Sequence, residues 1–275
     1  IEKDKIGGVC LNNGCIPTKT VLHSAKTFSL IKDSFRYGIT NTTLPSIDWN
    51  TVLKRKEDIV SQLVGGINQI LNKKSVDVFY SKATFINKNK IMIEEKDGNK
   101  ILEFNNAIIA TGSNPVFDIK SENIYNSDNI FNIKYLPKKV LIIGCGVVGI
   151  ELGTIYNLFN SEVTIIEKLK SILPQTDIGI ADYLSIMMKR AGIKIYKDAQ
   201  LLEYKKTNDL ITSKIKYVSE EIYIESDIIL YSVGRIPNIK DIGLENTNIK
   251  ISNNAIKVDD NLRTDEANIF AIGDC

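Results

Sequence analysis

Residues 6–20 read IGGVCLNNGCIPTKT, which places Cys10 and Cys15 with four residues between them, framed by glycines and followed by a proline and a lysine. In an ideal helix, residues five apart are separated by about 8 to 9 Å between Cα atoms, and a disulfide wants less than about 7 Å. Bridging Cys10 to Cys15 therefore requires a distorted turn, and Asn12, Asn13 and Gly14 are residues that tolerate one. As a staple, a loop this short contributes only about 2 kcal/mol before strain is subtracted. A weak, strained bridge fits a reversible two-electron couple better than a structural one. Structural or free thiols are the second reading and a metal site the third. A metal would need two further ligands, and the chain offers one histidine, His23, and two distant cysteines, Cys145 and Cys275. His23, one helical turn past Lys19, reads as a solvent-facing or capping residue that no acid in the sequence pairs with.

A second constellation has the chemistry of phosphate binding. Gly144, Gly146 and Gly149 form GxGxxG between the apolar run KKVLIIG and a helical stretch. The glycines provide a tight turn, close approach of backbone to a pyrophosphate, and close packing of helix on sheet. The helix start adds unpaired N–H groups and a positive dipole end. Glu167, 23 residues after Gly144, closes the next strand, where a carboxylate can accept from ribose hydroxyls. An acid there repels a 2′-phosphate, which favours NAD over NADP, although Lys168 and Lys170 partly offset that repulsion. Cys145, Val147 and Val148 lie within the same nucleotide loop, and Cys145 reads as a small, partly buried side chain.

These residues need elements to hold them. A helix is expected from Pro17 to Lys32, and a second from Ile47 to Lys73 with Asp48 as its cap. The stretches VDVFY, ATFIN, KIMIEE and KILEF, broken by NKN and KDGNK turns, read as a small antiparallel piece. AIIATGSNP at 107–115 reads as a buried strand ending in a turn. From 139 the order is strand, glycine loop, helix, strand, a βαβ unit of a parallel sheet, continued by a helix at 177–191 and strands at 193–196 and 227–234. The IEK of residues 1–3 recurs at 166–168, an echo of two similar nucleotide-binding folds.

Composition narrows the classes. With 275 residues, 43% hydrophobic and 25% charged, the chain has room for two domains with ordinary cores. A formal charge of +2 marks no basic field for nucleic acid or an anionic membrane. No apolar run approaches the roughly 20 residues of a bilayer span, and residues 1–20 lack the layout of a signal peptide, so a cytoplasmic location is expected. The chain opens on IEK without a Met and stops at AIGDC, and is read as a segment of a longer protein.

GGVCLNNGCIPTK closely resembles the active-site segment of the flavin-dependent disulfide reductases, and its wording is most similar to the dihydrolipoyl dehydrogenases among them. AIIATGS at 107–113, IIGCGVVGIELG at 142–153 and FAIGD at 270–274 match the same family in the same order. The resemblance implies FAD and NAD as cofactors and dihydrolipoamide, on the lipoyl domain of a 2-oxo acid dehydrogenase complex, as substrate. It implies that Cys15 lies against the flavin and exchanges electrons with it, that Cys10 attacks the substrate disulfide, and that Lys19 pairs with Glu151 beside the nicotinamide. It assigns Glu2 to the adenosine ribose of FAD and Ala83, with Ser81 and Lys82, to its adenine. Thr111, Gly112 and Ser113 would skirt the flavin nucleotide, and Asp274 would bind the ribityl chain. Gly234 and Arg235, in SVGRIPN, would border the NAD site.

The fold expected is α/β, two Rossmann-like nucleotide-binding domains with mostly parallel sheets and a small antiparallel piece. An FAD domain is assigned to 1–115, an NAD domain to 116–242, and a return to the FAD domain from 243 to 275. The family's first FAD glycine loop and its interface domain, which gives a histidine to the partner subunit of a homodimer, have no counterpart in these residues. This chain by itself is therefore expected to hold FAD weakly and to be catalytically weak or dead. The alternatives are a sibling disulfide or mercuric reductase, and a non-catalytic dinucleotide-binding redox fragment.

Overall fold

The computed structural model describes residues 1–275 apart from 41, 42, 44, 96, 118–120 and 209. Its helices are α1 (Gly8–Asn12), α2 (Cys15–Lys32), α3 (Trp49–Lys73), α4 (Val147–Leu158) and α5 (Ile178–Arg190). The chain divides into two units. One takes Ile1–Asn12, Gln62–Asn114 and Arg235–Cys275, and the other Asn13–Ser61 and Pro115–Gly234.

The second unit is built on a parallel sheet of five strands. In spatial order these are Ile124–Asn126, Ile228–Tyr231, Lys139–Ile143, Glu162–Glu167 and Lys194–Lys197. Successive residues of a strand point to opposite faces, and both faces of this sheet are covered. Val140, Ile142, Val163, Ile165, Ile228 and Leu230 join one core with α2 and α4 residues such as Val21, Ala25, Leu152 and Ile155. Leu141, Ile166 and Ile229 join another with Ile211 and Ile215. Burial on both sides is why these strands read as unbroken apolar runs in the sequence.

Ile211 and Ile215 belong to an antiparallel meander, Ala199–Thr207, Leu210–Tyr217 and Glu220–Ser226, which the sequence reading did not anticipate. The expected helix at 177–191 is present as α5, with the Asp177 carboxylate accepting from the Gly179 and Ile180 N–H groups at 2.9 and 3.2 Å. Asp48 caps α3 as expected, accepting from Thr51 N–H at 3.2 Å.

In the first unit, Ala83–Asn87, Lys90–Glu95 and Gly98–Glu103 form the expected antiparallel piece. Lys96, in the expected KDGNK turn, lies outside the described residues. VDVFY is not a strand: of these residues only Tyr80 forms a bridge, pairing in parallel with Glu2. Among the described residues it has no continuous partner strand, and pairing is what makes an extended run a strand. Ala107–Ile109 pairs in parallel with Ile269–Ala271 over a core that includes Phe85, Leu244 and Ile256.

Candidate functional site

Cys10 and Cys15 are both disulfide-bonded, and the other two cysteines, Cys145 and Cys275, are free and buried. The helical path is broken at Asn13 and Gly14, where Gly14 has φ −109° and ψ −106°, so that α1 ends at Asn12 and α2 restarts at Cys15. This is the distorted turn that a bridge across five residues requires. Both half-cystines are exposed. Cys15 opens α2, whose first turn has no side-chain cap on its N–H groups.

Along α2, Cys15, Lys19 and His23 are exposed at the helical spacing of four, while Pro17, Thr18, Val21 and Ala25 form the buried face. Lys19 Nζ donates to Glu151 Oε1 at 2.5 Å, joining α2 to α4 one turn beyond the start of each helix. At the other end Lys32 Nζ donates to Asn160 Oδ1 at 2.6 Å. The two pairs show that α2 and α4 run in the same direction, with Cys15 and the glycine loop at the same end. The Lys19 and Glu151 side chains retain 56% and 32% of their exposure, so the pair is open to solvent and contributes little to stability.

The glycine loop carries out each of its three geometric tasks. Gly144 has φ +102°, and a Cβ there would lie 2.7 Å from the Ser232 carbonyl oxygen. At Gly149 a Cβ would collide with the Gly144 carbonyl oxygen and the Ser232 hydroxyl. Around a Cβ at Gly146 there is open space, which is the room a pyrophosphate needs against the backbone. The first turn of α4 has no side-chain cap, and Val147 is 64% exposed beside it. Glu167 is buried, with Oε2 accepting from Cys145 N–H at 2.7 Å and Oε1 from Leu169 N–H at 2.9 Å. This carboxylate is thus held by the loop it serves and keeps lone pairs for a ribose. These residues fit a dinucleotide.

Cys145 is completely buried, more so than its small size alone implied. Burial first, and then the Glu167 charge, push its thiol up to about 12, with Lys197 opposing. It contributes its backbone N–H to the site and no sulfur chemistry.

In the first unit, Glu2 pairs its backbone with the 79–81 stretch, donating to Phe79 O and accepting from Ser81 N–H, each at 2.9 Å. Its carboxylate accepts from Asp4 N–H at 2.9 Å. Ser81 is buried, its Oγ 2.8 Å from the Lys82 and Glu94 carbonyl oxygens, and Ala83 opens the strand that follows. Gly112 has φ +65° with nothing near a Cβ built on it. Ser113 is buried and its hydroxyl donates to Asp274 Oδ2 at 3.4 Å. Arg235 lies with this group: Nε donates to Ser113 Oγ at 2.8 Å and Nη2 to Ser113 O at 2.5 Å. Gly234, at φ +107°, falls in the other unit.

Two residues were missed in the sequence although they stand inside SVGRIPN. Ser232 Oγ lies 3.0 and 2.9 Å from the Ile143 and Gly144 carbonyl oxygens, and Asn238 N–H donates to Gly112 O at 2.8 Å. A small polar residue ending a buried strand beside a glycine loop was the available signal.

The pyridine nucleotide-disulphide oxidoreductase family matches residues 1–275, and members of that family bind FAD and a pyridine nucleotide. The dihydrolipoyl dehydrogenase of Acholeplasma laidlawii is 37% identical, with all of this chain and 81% of the relative covered. That of Geobacillus stearothermophilus is 35% identical, and there this chain spans 59% of the relative's length. Among solved structures, the Cu(II) complex of the HOCl-induced flavoprotein disulfide reductase RclA from Escherichia coli superposes with a TM-score of 0.81 at 27% identity, over 98% of this chain and 58% of that one. The family match runs from the first residue to the last: the chain belongs to the pyridine nucleotide-disulphide oxidoreductase family.

Proposed function

We propose that this chain carries the FAD- and NAD-binding part of an enzyme that oxidises dihydrolipoamide through the Cys10–Cys15 pair. The observation that carries the reading is an exposed disulfide whose second sulfur begins an uncapped helix, one turn before the Lys19–Glu151 ion pair.

A thiolate of the dithiol substrate attacks the Cys10 sulfur, forming a mixed disulfide and releasing Cys15 as thiolate. The second substrate thiolate then displaces Cys10. Lipoamide leaves oxidised, the cysteine pair holds two more electrons, and the two thiol protons pass to base or solvent. FAD, when bound, would take that electron pair from the dithiol and pass it to NAD as hydride. Lys19 and the start of α2 stabilise negative charge at Cys15, and Glu151 fixes the Lys19 ammonium. Gly144, Gly146, Gly149, Val147 and Val148 seat the pyrophosphate of NAD, Glu167 its ribose, and Gly234 borders it. On the FAD side the roles fall to Glu2, Ala83, Thr111, Gly112, Ser113 and Asp274. The parent enzyme is read as a cytoplasmic homodimer that meets its substrate on the lipoyl domain of a 2-oxo acid dehydrogenase complex.

Anaerobic addition of dihydrolipoamide tests the reading. It is expected to open the disulfide and expose two new labelled thiols per chain, much faster than glutathione at the same thiol concentration. No new thiols, or equal rates, would overturn it. A second reading, a sibling reductase acting on another disulfide, is supported by the RclA likeness. Flavin reduction by NADPH in preference to NADH would decide for it, since Glu167 disfavours a 2′-phosphate.

A further inference from the structure

Resting on the reading that Asp274 and the turn at Thr111–Ser113 hold the flavin nucleotide, we propose that Arg235 and Asn238 are positioning residues of that flavin site. They form a strap that fixes the turn and aims Asp274, and Arg235 is not a contact of NAD.

The strap takes three successive carbonyl oxygens. Asn238 Nδ2 donates to Thr111 O at 3.1 Å, Asn238 N–H to Gly112 O at 2.8 Å, and Arg235 Nη2 to Ser113 O at 2.5 Å. Asn238 Nδ2 also reaches Asn114 Oδ1 at 3.2 Å. With three consecutive peptide planes held, Gly112 is kept at φ +65°, a conformation only glycine takes without strain. The carbonyl dipoles are directed at the strap and so are withheld from an incoming anionic nucleotide.

The second part of the strap acts through a hydroxyl. Ser113 is 3% exposed, and its Oγ accepts from Arg235 Nε at 2.8 Å. A guanidinium only donates, so the serine proton is directed away from it, and Asp274 Oδ2 at 3.4 Å is the acceptor that receives it. Asp274 itself is exposed. Arg235 therefore sets the orientation of a carboxylate that it reaches through Ser113. A lysine, with one compact ammonium in place of a planar fork, does not reproduce the fixed geometry of the side-chain and main-chain bonds.

The test is FAD titration of the purified chain, followed by quenching of flavin fluorescence, with NADH titrated in parallel. Arg235→Ala and Asp274→Ala are each expected to weaken FAD about tenfold, and the double variant no more than about twofold beyond Asp274→Ala alone, because coupled residues are not additive. Arg235→Lys falls between, and NADH binding by Arg235→Ala stays within about twofold of the parent. Singles whose effects multiply in the double variant overturn the strap, as does loss of NADH binding with FAD intact. FAD binding by the parent chain that Asp274→Ala leaves unchanged overturns the flavin reading itself, and the strap with it. If Arg235→Ala fails to fold by circular dichroism, Arg235→Lys and Asn238→Ala decide: several-fold weaker FAD supports the strap, and parent-like FAD binding by both overturns it.

Discussion

Cys15 and Cys145 each stand at the start of a helix beside a glycine, in the same unit, yet they differ in every property that governs sulfur chemistry. Cys15 is exposed and disulfide-bonded as the first residue of α2. Cys145 is fully buried next to the Glu167 carboxylate, which with burial holds its thiol near 12. A helix start favours a thiolate only where solvent access and neighbouring charge allow one to exist. At Cys145 both oppose it, and the residue serves the backbone.

Alkylation after reduction should separate the two ends most sharply. With dithiothreitol and then iodoacetamide at pH 8, Cys10 and Cys15 are expected to react on the order of a thousandfold faster than Cys145, as thiolate fractions dictate. Peptide mapping that finds Cys145 labelled alongside them would erase the contrast. The next largest effect lies on the glycine side: Gly149→Ala drives a Cβ onto the Gly144 carbonyl and should destabilise the unit by about 3 kcal/mol and abolish NADH binding, read by thermal melts and NADH fluorescence.

An effect that is smaller per pH unit tests the burial of Cys145. Its folded thiol titrates near 12 against 9.0 when unfolded, so the unfolded chain loses the proton first. Stability from this source is complete below pH 9 and is lost as pH rises from 9 toward 12, by about 1.4 kcal/mol per unit. Cys145→Ala should remove that slope, and urea melts giving parallel curves for parent and variant would contradict it. The smallest effect is at the exposed ion pair: Glu151→Gln is expected to cost about 0.5 kcal/mol of stability, and a loss of several kcal/mol would mean the pair is structural.

Local pattern made much of this legible in the sequence. The βαβ unit was readable because its strands are buried on both faces and its glycines are spaced as a nucleotide loop's are, and Asp48 marked a real helix start. The meander at 199–226 escaped because its inward side alternates isoleucine with serine, Ile211, Ser213 and Ile215, so the period of two was present without the apolar signal. VDVFY failed the opposite way, with strand composition and no partner beyond Glu2. Bonds such as Lys19 to Glu151, 132 residues apart, and Arg235 to Ser113, 122 apart, leave no local trace. The first came from family likeness alone, and the second only from coordinates.

The way Glu167 is held bears on how such a chain could drift toward another coenzyme. The carboxylate proposed to select the sugar also satisfies the amide hydrogen of Cys145, in the turn proposed to seat the phosphates. Replacing that acid to admit a phosphorylated ribose would leave a buried amide orphaned, so a change of coenzyme at this site needs a second, compensating acceptor to evolve with it.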